Sequence, residues 1–510
     1  MAPVDWIILC LYAISTVGLG WYFGRKQSDT SEYFVGSGNM NPLLIGISLF
    51  ATLLSTITYL ALPGETLGKG PIYLTNYLAY PFIYLVIGFV ILPVYMRLRV
   101  TSAYELLENR LGLSIRVLGA ALFLLLRLVW MSLLVYLTAK AIAIMIGAGE
   151  EMVPWIIVVT GIFAITYTSL GGLKAVVITD LMQTILLYGG ALLVIGTITW
   201  KMGGFGWFPT EWQGDVWDSQ PLFSFDPSTR VTVIGSILSV FLWVVCTSAG
   251  DQVSVQRFMA TKDAKTARRA TAMQLTIGMV VGLTLGVVGM ALLGYFQAHP
   301  DLLPEEGSIG SQADKIFPHF IAFHLPPVVT GLVVSGLFAA AMSSIDSGVN
   351  SITAVVMTDF LDRFGMKPDT GEKHIRFARI LAIVIGVVVV LLSAIVKYIP
   401  GNFMAVTNKT VNLLTVPIAL LFFFALWVPF SNARGVWIGT IASVGSALLV
   451  AFSGSFFGVN PATGWFAFSF GAEGIDLAPV SFQWIAPVAL VVGVSVGLVA
   501  CKVFSPRASA

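Results

Sequence analysis

The side chains able to do chemistry in this chain stand inside its most apolar stretches. Within residues 326 to 360, the segment from Gly336 to Ser351 interrupts a hydrophobic run with a dense polar patch. Ser343, Asp346 and Ser347 are spaced i, i+3 and i+4, so two hydroxyls and a carboxylate share one helical face. Such oxygen donors suit a hard monovalent cation such as sodium. Packing of small residues would explain the serines alone, but a carboxylate in hydrocarbon is costly unless it is paired or bound to an ion. Asp180 lies about two helical turns from the end of its own apolar run, where it can bind an ion or pair with a basic residue. Arg127, in Leu124-Leu125-Leu126-Arg127-Leu128-Val129-Trp130, needs an anion. That anion is either a solute carboxylate or a carboxylate of the chain, such as Asp251 or Asp346.

Two apolar stretches are interrupted in a second way. In residues 43 to 68 the run Ser48 to Thr58 carries five hydroxyls, and Pro63-Gly64 follows. In residues 231 to 258 the run Thr247-Ser248-Ala249-Gly250-Asp251-Gln252 stands in the body of the segment. Counted from the second span, these are the first and the sixth. A separation of five predicts an inverted five-helix repeat with unwound backbone near the bilayer midplane, where carbonyls face a cation and helix ends face a solute. The alternative is a pair of glycine or proline kinks at helix contacts.

The elements that must position these groups are membrane helices. Hydrophobic residues make up 57% of the chain and charged residues 11%, with a mean hydropathy of +0.88, which predicts an all-α polytopic membrane protein of about thirteen spans. Lys and Arg fall in every second loop, Arg257 among them, and those loops are expected to be cytoplasmic. The amino terminus is then outside and the carboxyl terminus inside, in a bacterial inner membrane. Residues 1–42 read as a retained leading helix and loop, 43–201 as a first repeat, 202–230 as an outer loop, 231–429 as a second repeat, and 430–510 as two added helices. Basic residues form no single face, so nucleic acid is excluded as a partner. Cys10, Cys246 and Cys501 sit in or beside apolar runs as small hydrophobes. Gly64 to Gly70 has the wrong spacing for a phosphate loop, and no charge ring or carbonyl filter marks a channel. Lipid and a small solute remain as partners, and no enzymatic constellation is present. The chain is expected to act as a monomer.

On these features the chain resembles the sodium/solute symporter family over nearly its whole length. The resemblance rests on the leading helix, Ser48 to Ser55, Gly171 to Asp180, Asp251 to Arg257 and Ala339 to Ser347. It implies five-plus-five inverted repeats, alternating access, and import of a small organic solute driven by Na+. It further implies a sodium site made by the carbonyls of Ala51, Leu54 and Ala340 and the hydroxyls of Ser343 and Ser344. A second sodium is expected at Asp180, Ser343, Asp346 and Ser347, although Asp346 stands where sugar and sialic acid carriers more often show a small or hydroxyl residue. The solute is expected near Ser55, Thr56, Thr58, Asn76, Tyr77, Arg127, Asp251 and Gln252, with Trp130 and Trp243 as lids. Arg127 favours a carboxylate-bearing solute; a sugar, or transport driven by protons or without sodium, are the alternatives.

Overall fold

The computed structural model describes residues 1–24, 40–98, 100, 102–168, 173–366, 371–396, 403–459, 466–468 and 480–505. The helices are α1 (Pro3–Gly24), α2 (Pro42–Leu53), α3 (Thr56–Lys69), α4 (Pro71–Leu98), α5 (Glu105–Leu111), α6 (Leu113–Ile146), α7 (Val153–Thr168), α8 (Leu173–Lys201), α9 (Val233–Gly250), α10 (Gln252–Met259), α11 (Ala264–Ala298), α12 (Ala313–Phe323), α13 (Val329–Leu361), α14 (Gly371–Ser393), α15 (Phe403–Trp427), α16 (Ala433–Ala451) and α17 (Phe482–Val503). Polar caps start several of them. Asn41 accepts from Leu43 N ahead of Pro42, Thr232 from Gly235 N, Asp263 from Thr266 N, and Asn432 from Gly435 N.

Every expected stretch carries helix, but a count of thirteen spans is not established. Ten described helices are long and apolar enough to cross a bilayer, or eleven with α2 and α3 taken as one bent span. The apolar part of α1 is Pro3–Leu19, and α7 is described over 16 residues. Two features were not expected. The stretch 298 to 325, which has no long apolar run, contains α12, which packs on α3 and α6. Phe457–Val459 and Phe466–Phe468 pair as a short antiparallel ribbon, the one strand pairing among the described residues.

Packing repeats with a period of five spans. Helix α8 packs on α13 as α15 packs on α6, and α2 and α3 lie on α11 as α9 lies on α4. In the same way α8 touches α2 where α15 touches α9, and α6 touches α7 where α13 touches α14. Because five is odd, the second set runs through the membrane in the opposite sense to the first, which is the inverted repeat. The broken first core helix is α2–α3 and the broken sixth is α9–α10.

Close approach depends on small residues, since lipid provides no hydrophobic drive between helices. A Cβ at Gly336 of α13 would come within 3.0 Å of the Leu186 carbonyl of α8. Gly439 of α16 meets Gly497 of α17 so closely that a Cβ there would stand 2.8 Å from its Cα. The leading helix holds the start of α13: buried Asp5 accepts from the backbone N–H of Val328 (2.9 Å) and Gly331 (3.0 Å), and Val328 is fixed at φ 75°.

Candidate functional site

Helix α2 ends at Leu53, and the next two residues are extended: Leu54 at φ −85°, ψ 105° and Ser55 at φ −98°, ψ 169°. Helix α3 leaves at 66° to α2. Ser55 then caps α3 by accepting from Thr58 N. The last carbonyls of α2 are left without helical N–H partners, and with the negative end of the helix dipole they form a place for a cation. Pro63-Gly64 is not the break: Pro63 lies inside α3, and Gly64 makes room for Ala313 and Asp314 of α12. The sixth core helix breaks at Asp251 (φ −90°, ψ 120°), whose Oδ1 accepts from Val253 N at 2.8 Å to start α10. In each broken helix, therefore, a polar side chain at the break caps the half that follows.

Helix α13 faces the first break. The Ser344 hydroxyl donates to the Thr52 carbonyl at 3.1 Å, Thr56 donates to the Leu337 carbonyl at 3.0 Å, and the hydroxyls of Thr52 and Ser347 are 3.0 Å apart. Ala51, Leu54, Ala340, Ser343 and Ser344 are all buried, on the two elements that these bonds tie together. Ser343 donates to Oδ1 of Asp180 on α8, and Ser48 of α2 donates to Oδ2 at 2.5 Å. Asp180, Ser343 and Ser347 are thus gathered around one point. Asp346 is buried on the same helix, within electrostatic reach of Tyr12 and Arg257.

Arg257 requires a correction. Counted above with a cytoplasmic loop, it lies in α10 with no exposed surface. Its Nε donates to Ser48 (2.9 Å), Nη2 to Ser347 (2.5 Å) and Nη1 to the Val253 carbonyl (3.1 Å), and Nη2 is 3.8 Å from Asp180. The stretch 231 to 258 already included it, which was the available signal.

The residues expected at the solute divide into three groups. Arg127 and Asp251 form a buried ion pair that, with Trp130, Trp243 and Thr247, lines a cavity of about 340 Å³. Arg127 Nε is buried and has no partner. Thr58, Asn76 and Tyr77 line a larger cavity of about 740 Å³ together with Tyr73, Asn408 and Asn412. Trp130, Trp243, Leu53 and Val411 border both cavities and so stand between them. Ser55, Thr56 and Gln252 line neither. Ser55 and Thr56 are used in the break, and Gln252 Oε1 accepts from Ala103 N at 2.7 Å.

The two ends of the bundle differ. The larger cavity reaches the starts of α4, α9 and α15. The opposite end is sealed by residues that the sequence reading missed. Tyr95 and Tyr104 donate to the carbonyls of Ala249 and Gly250 at the end of α9. Arg116 donates to Asp359 and to Glu108, each at 2.7 Å; Ser102 also donates to Asp359, and Arg363 donates to Glu108 at 2.6 Å. Arg363 and then Arg116 hold the Glu108 carboxyl below its ordinary range. At the end of the larger cavity, Arg230 grips Glu65 of α3 with two bonds of 2.6 Å.

The sequence pattern of the "Sodium:solute symporter family" matches residues 33–443. The chain is 30% identical to "Sodium/sialic acid symporter SiaT" of Proteus mirabilis over 459 residues, 89% of this chain and 90% of that one. It is 29% identical to "Sodium/sialic acid symporter NanT" of Aliivibrio fischeri over 451 residues, 88% and 87% of the two chains. Among solved structures, a Na+-coupled sialic acid symporter in a substrate-bound outward-open state superposes with a TM-score of 0.83 at 24% identity, covering 99% of both chains, which shows the fold. With its broken first and sixth core helices and a polar face on α13, this chain belongs to the sodium:solute symporter family, and Na+ is its coupling ion.

Proposed function

We propose that this symporter imports a small carboxylate-bearing solute, in the chemical class of the sialic acids, by alternating access. The observation that carries the reading is Arg127. Its guanidinium lines the inner cavity and keeps a buried, unpartnered Nε, a donor whose desolvation is offset once a carboxylate accepts from it. The adjoining cavity offers Asn76, Asn408, Asn412, Thr58 and three tyrosines, donors and acceptors that match a polyhydroxylated body. A neutral sugar is the second reading, because Asp251 already neutralises Arg127.

Sodium completes the outward-facing state by joining Ala51 and Leu54 at the first break to Ala340, Ser343 and Ser344 of α13. A ligand shifts a conformational equilibrium only through differential affinity, and these two elements separate when the bundle rocks. One sodium moving through about 100 mV contributes about 2.3 kcal/mol, and an assumed tenfold gradient about 1.4 kcal/mol. Together they support accumulation of a neutral solute by about 500-fold, whereas a monoanionic carboxylate carried with one sodium moves no net charge, so the gradient alone acts and accumulation is about tenfold. The basic-loop pattern supports a cytoplasmic position for the sealed end and an outside position for the amino terminus. The chain works as a monomer of two repeats, residues 43–201 and 231–429, in an inner membrane.

The test is thermal stability of the detergent-purified protein with N-acetylneuraminate, pyruvate, galactose or proline, each in sodium and in potassium. Stabilisation by N-acetylneuraminate in sodium alone is expected. Stabilisation by galactose alone would transfer the reading to a sugar, and equal effects in potassium would remove the coupling.

A further inference from the structure

Away from the transport path, one groove on the lipid-facing side of the helices ends at a cluster of positive charge. It lies between α4 and α11, has a volume of about 600 Å³, and is lined by Tyr80 and Tyr84 of α4 and by Leu275, Thr276 and Met279 of α11. The two helices run in opposite directions along it: Gly88 faces Arg268, and the Tyr80 hydroxyl faces Gly278. On α11, Lys265, Arg268, Ala272, Thr276 and Met279 follow at spacings of three or four residues and so form one stripe. The stripe is basic where α11 begins and mostly apolar along the groove. From Arg268 to Met279 it covers about 16 Å, half of a hydrocarbon core of about 30 Å and so the depth of one leaflet.

Arg268 is held at the mouth of this groove with its charge unmatched. Its stem lies against Gly88 in a widened turn of α4, where Leu92 N–H donates to the Ile87 carbonyl; a Cβ at Gly88 would stand 3.3 Å from Arg268 Cγ. Its guanidinium lies over the Phe89 ring, 4.8 Å from the centroid, a contact that fixes the group but supplies no oxygen acceptor. No ion pair among the described residues includes Arg268, so its N–H donors are available to a phosphate. Between Ala260 and Ala272 the chain sets Lys262, Lys265, Arg268 and Arg269 against Asp263 alone, and Asp263 caps α11 by accepting from Thr266 N at 2.7 Å. The mouth is complementary to an anion, and the groove behind it to a hydrocarbon chain.

We propose that this groove binds an anionic phospholipid, with one acyl chain between α4 and α11 and the phosphate on Arg268, beside Lys265. A zwitterionic lipid offers the same chain but brings its own cation to the basic cluster. A free phosphate offers the charge but nothing to fill the groove. Only a lipid of net negative charge meets both ends. The bound lipid braces the helices that carry the two broken spans, since α11 packs on α2 and α3 while α4 packs on α9. These contacts exist only in the folded protein, so binding raises its stability.

The experiment is thermal unfolding of the delipidated full-length protein in detergent, titrated with dioleoylphosphatidylglycerol, dioleoylphosphatidylcholine or inorganic phosphate. Wild type is expected to gain stability with phosphatidylglycerol alone. The concentration giving half of that gain should rise about tenfold or more in Arg268→Gln and in Thr276→Trp, whose ring fills the groove and leaves the charge in place. It should change by less than about twofold in Arg269→Gln, which removes an equal charge from the exposed neighbour. Equal stabilisation by phosphatidylcholine, stabilisation by phosphate alone, or none by any of the three would overturn the proposal. So would an unchanged titration in Thr276→Trp, or equal effects of Arg268→Gln and Arg269→Gln, which mark diffuse attraction to the basic loop. Should Thr276→Trp fail to fold, Met279→Trp fills the same groove from its exposed rim and decides in its place.

Discussion

Replacing Arg127 by Gln tests the solute site most sharply, because Arg127 and Asp251 are both nearly inaccessible, at 5% and 4% exposure. Removing one partner of such a pair leaves the other charge buried, which costs about 3 to 5 kcal/mol. Arg127→Gln should therefore unfold at lower temperature, and Arg127→Gln with Asp251→Asn should recover most of the loss, since an amide pair has no charge to desolvate. Solute binding gives a separate readout. A charge-assisted bond from Nε to a carboxylate contributes about 1.5 to 3 kcal/mol, so Arg127→Gln should weaken N-acetylneuraminate by about 10- to 150-fold. Asp251→Asn should act in the opposite direction on binding. It frees the guanidinium of its internal anion, so the protein without solute loses stability while N-acetylneuraminate stabilises it more than it does wild type. The assay is thermal unfolding across a solute titration in sodium for all four proteins. Arg127→Gln binding N-acetylneuraminate as wild type does, together with no gain from Asp251→Asn, would refute the carboxylate role of Arg127.

Three further outcomes are expected. Ser344→Ala removes the hydroxyl that joins α13 to the Thr52 carbonyl and one oxygen expected at the first sodium. It should raise the sodium concentration for half-maximal uptake about tenfold, in line with about 1.4 kcal/mol per lost ligand; an unchanged sodium dependence would remove Ser344 from the site. Arg116→Gln leaves Asp359 buried without its cation, so the sealed end should open more often, and a cysteine placed at Ala103 should react faster with a membrane-impermeant thiol reagent applied from that side. An unaltered labelling rate would show that the pair is no latch. Burial, then His319 and Lys201, lowers His324 from 6.5 to about 4. The folded protein keeps it neutral where the unfolded chain is already protonated, so its contribution is present above 6.5 and is lost as pH falls toward 4. The unfolding temperature should drop across that window, and His324→Gln should flatten the drop; a slope equal to wild type would refute it.

Much of the site was legible because a membrane makes polar residues conspicuous. Ser343, Asp346 and Ser347 stand out in an apolar helix, and Thr247 to Gln252 mark a break that the backbone shows at Asp251. The first interruption was read as the hydroxyl-rich run Ser48 to Thr58 followed by Pro63-Gly64, and the chain opens inside that run, at Leu54 and Ser55, where Ser344 of α13 donates to the freed Thr52 carbonyl. The solute residues divided for a similar reason. Ser55, Thr56 and Gln252 have the same chemistry as Thr58 and Asn76, and only the packing shows that their groups are spent on caps and latches.

By itself the sequence determined the solvent and the repeat. Long apolar runs must cross a bilayer as helices, and two interruptions five spans apart imply the repeat, since hydrophobic length and backbone hydrogen bonding are local properties of the chain. Which charges neutralise one another was decided only by tertiary structure. Arg127 meets Asp251 across 124 positions, Arg116 meets Asp359 across 243, and Arg257 meets Asp180 at 3.8 Å across the bundle. Burying a charge is tolerable only where a counter-charge arrives with it, and which counter-charge arrives depends on how the helices cross, a relation that spacing along the chain does not record.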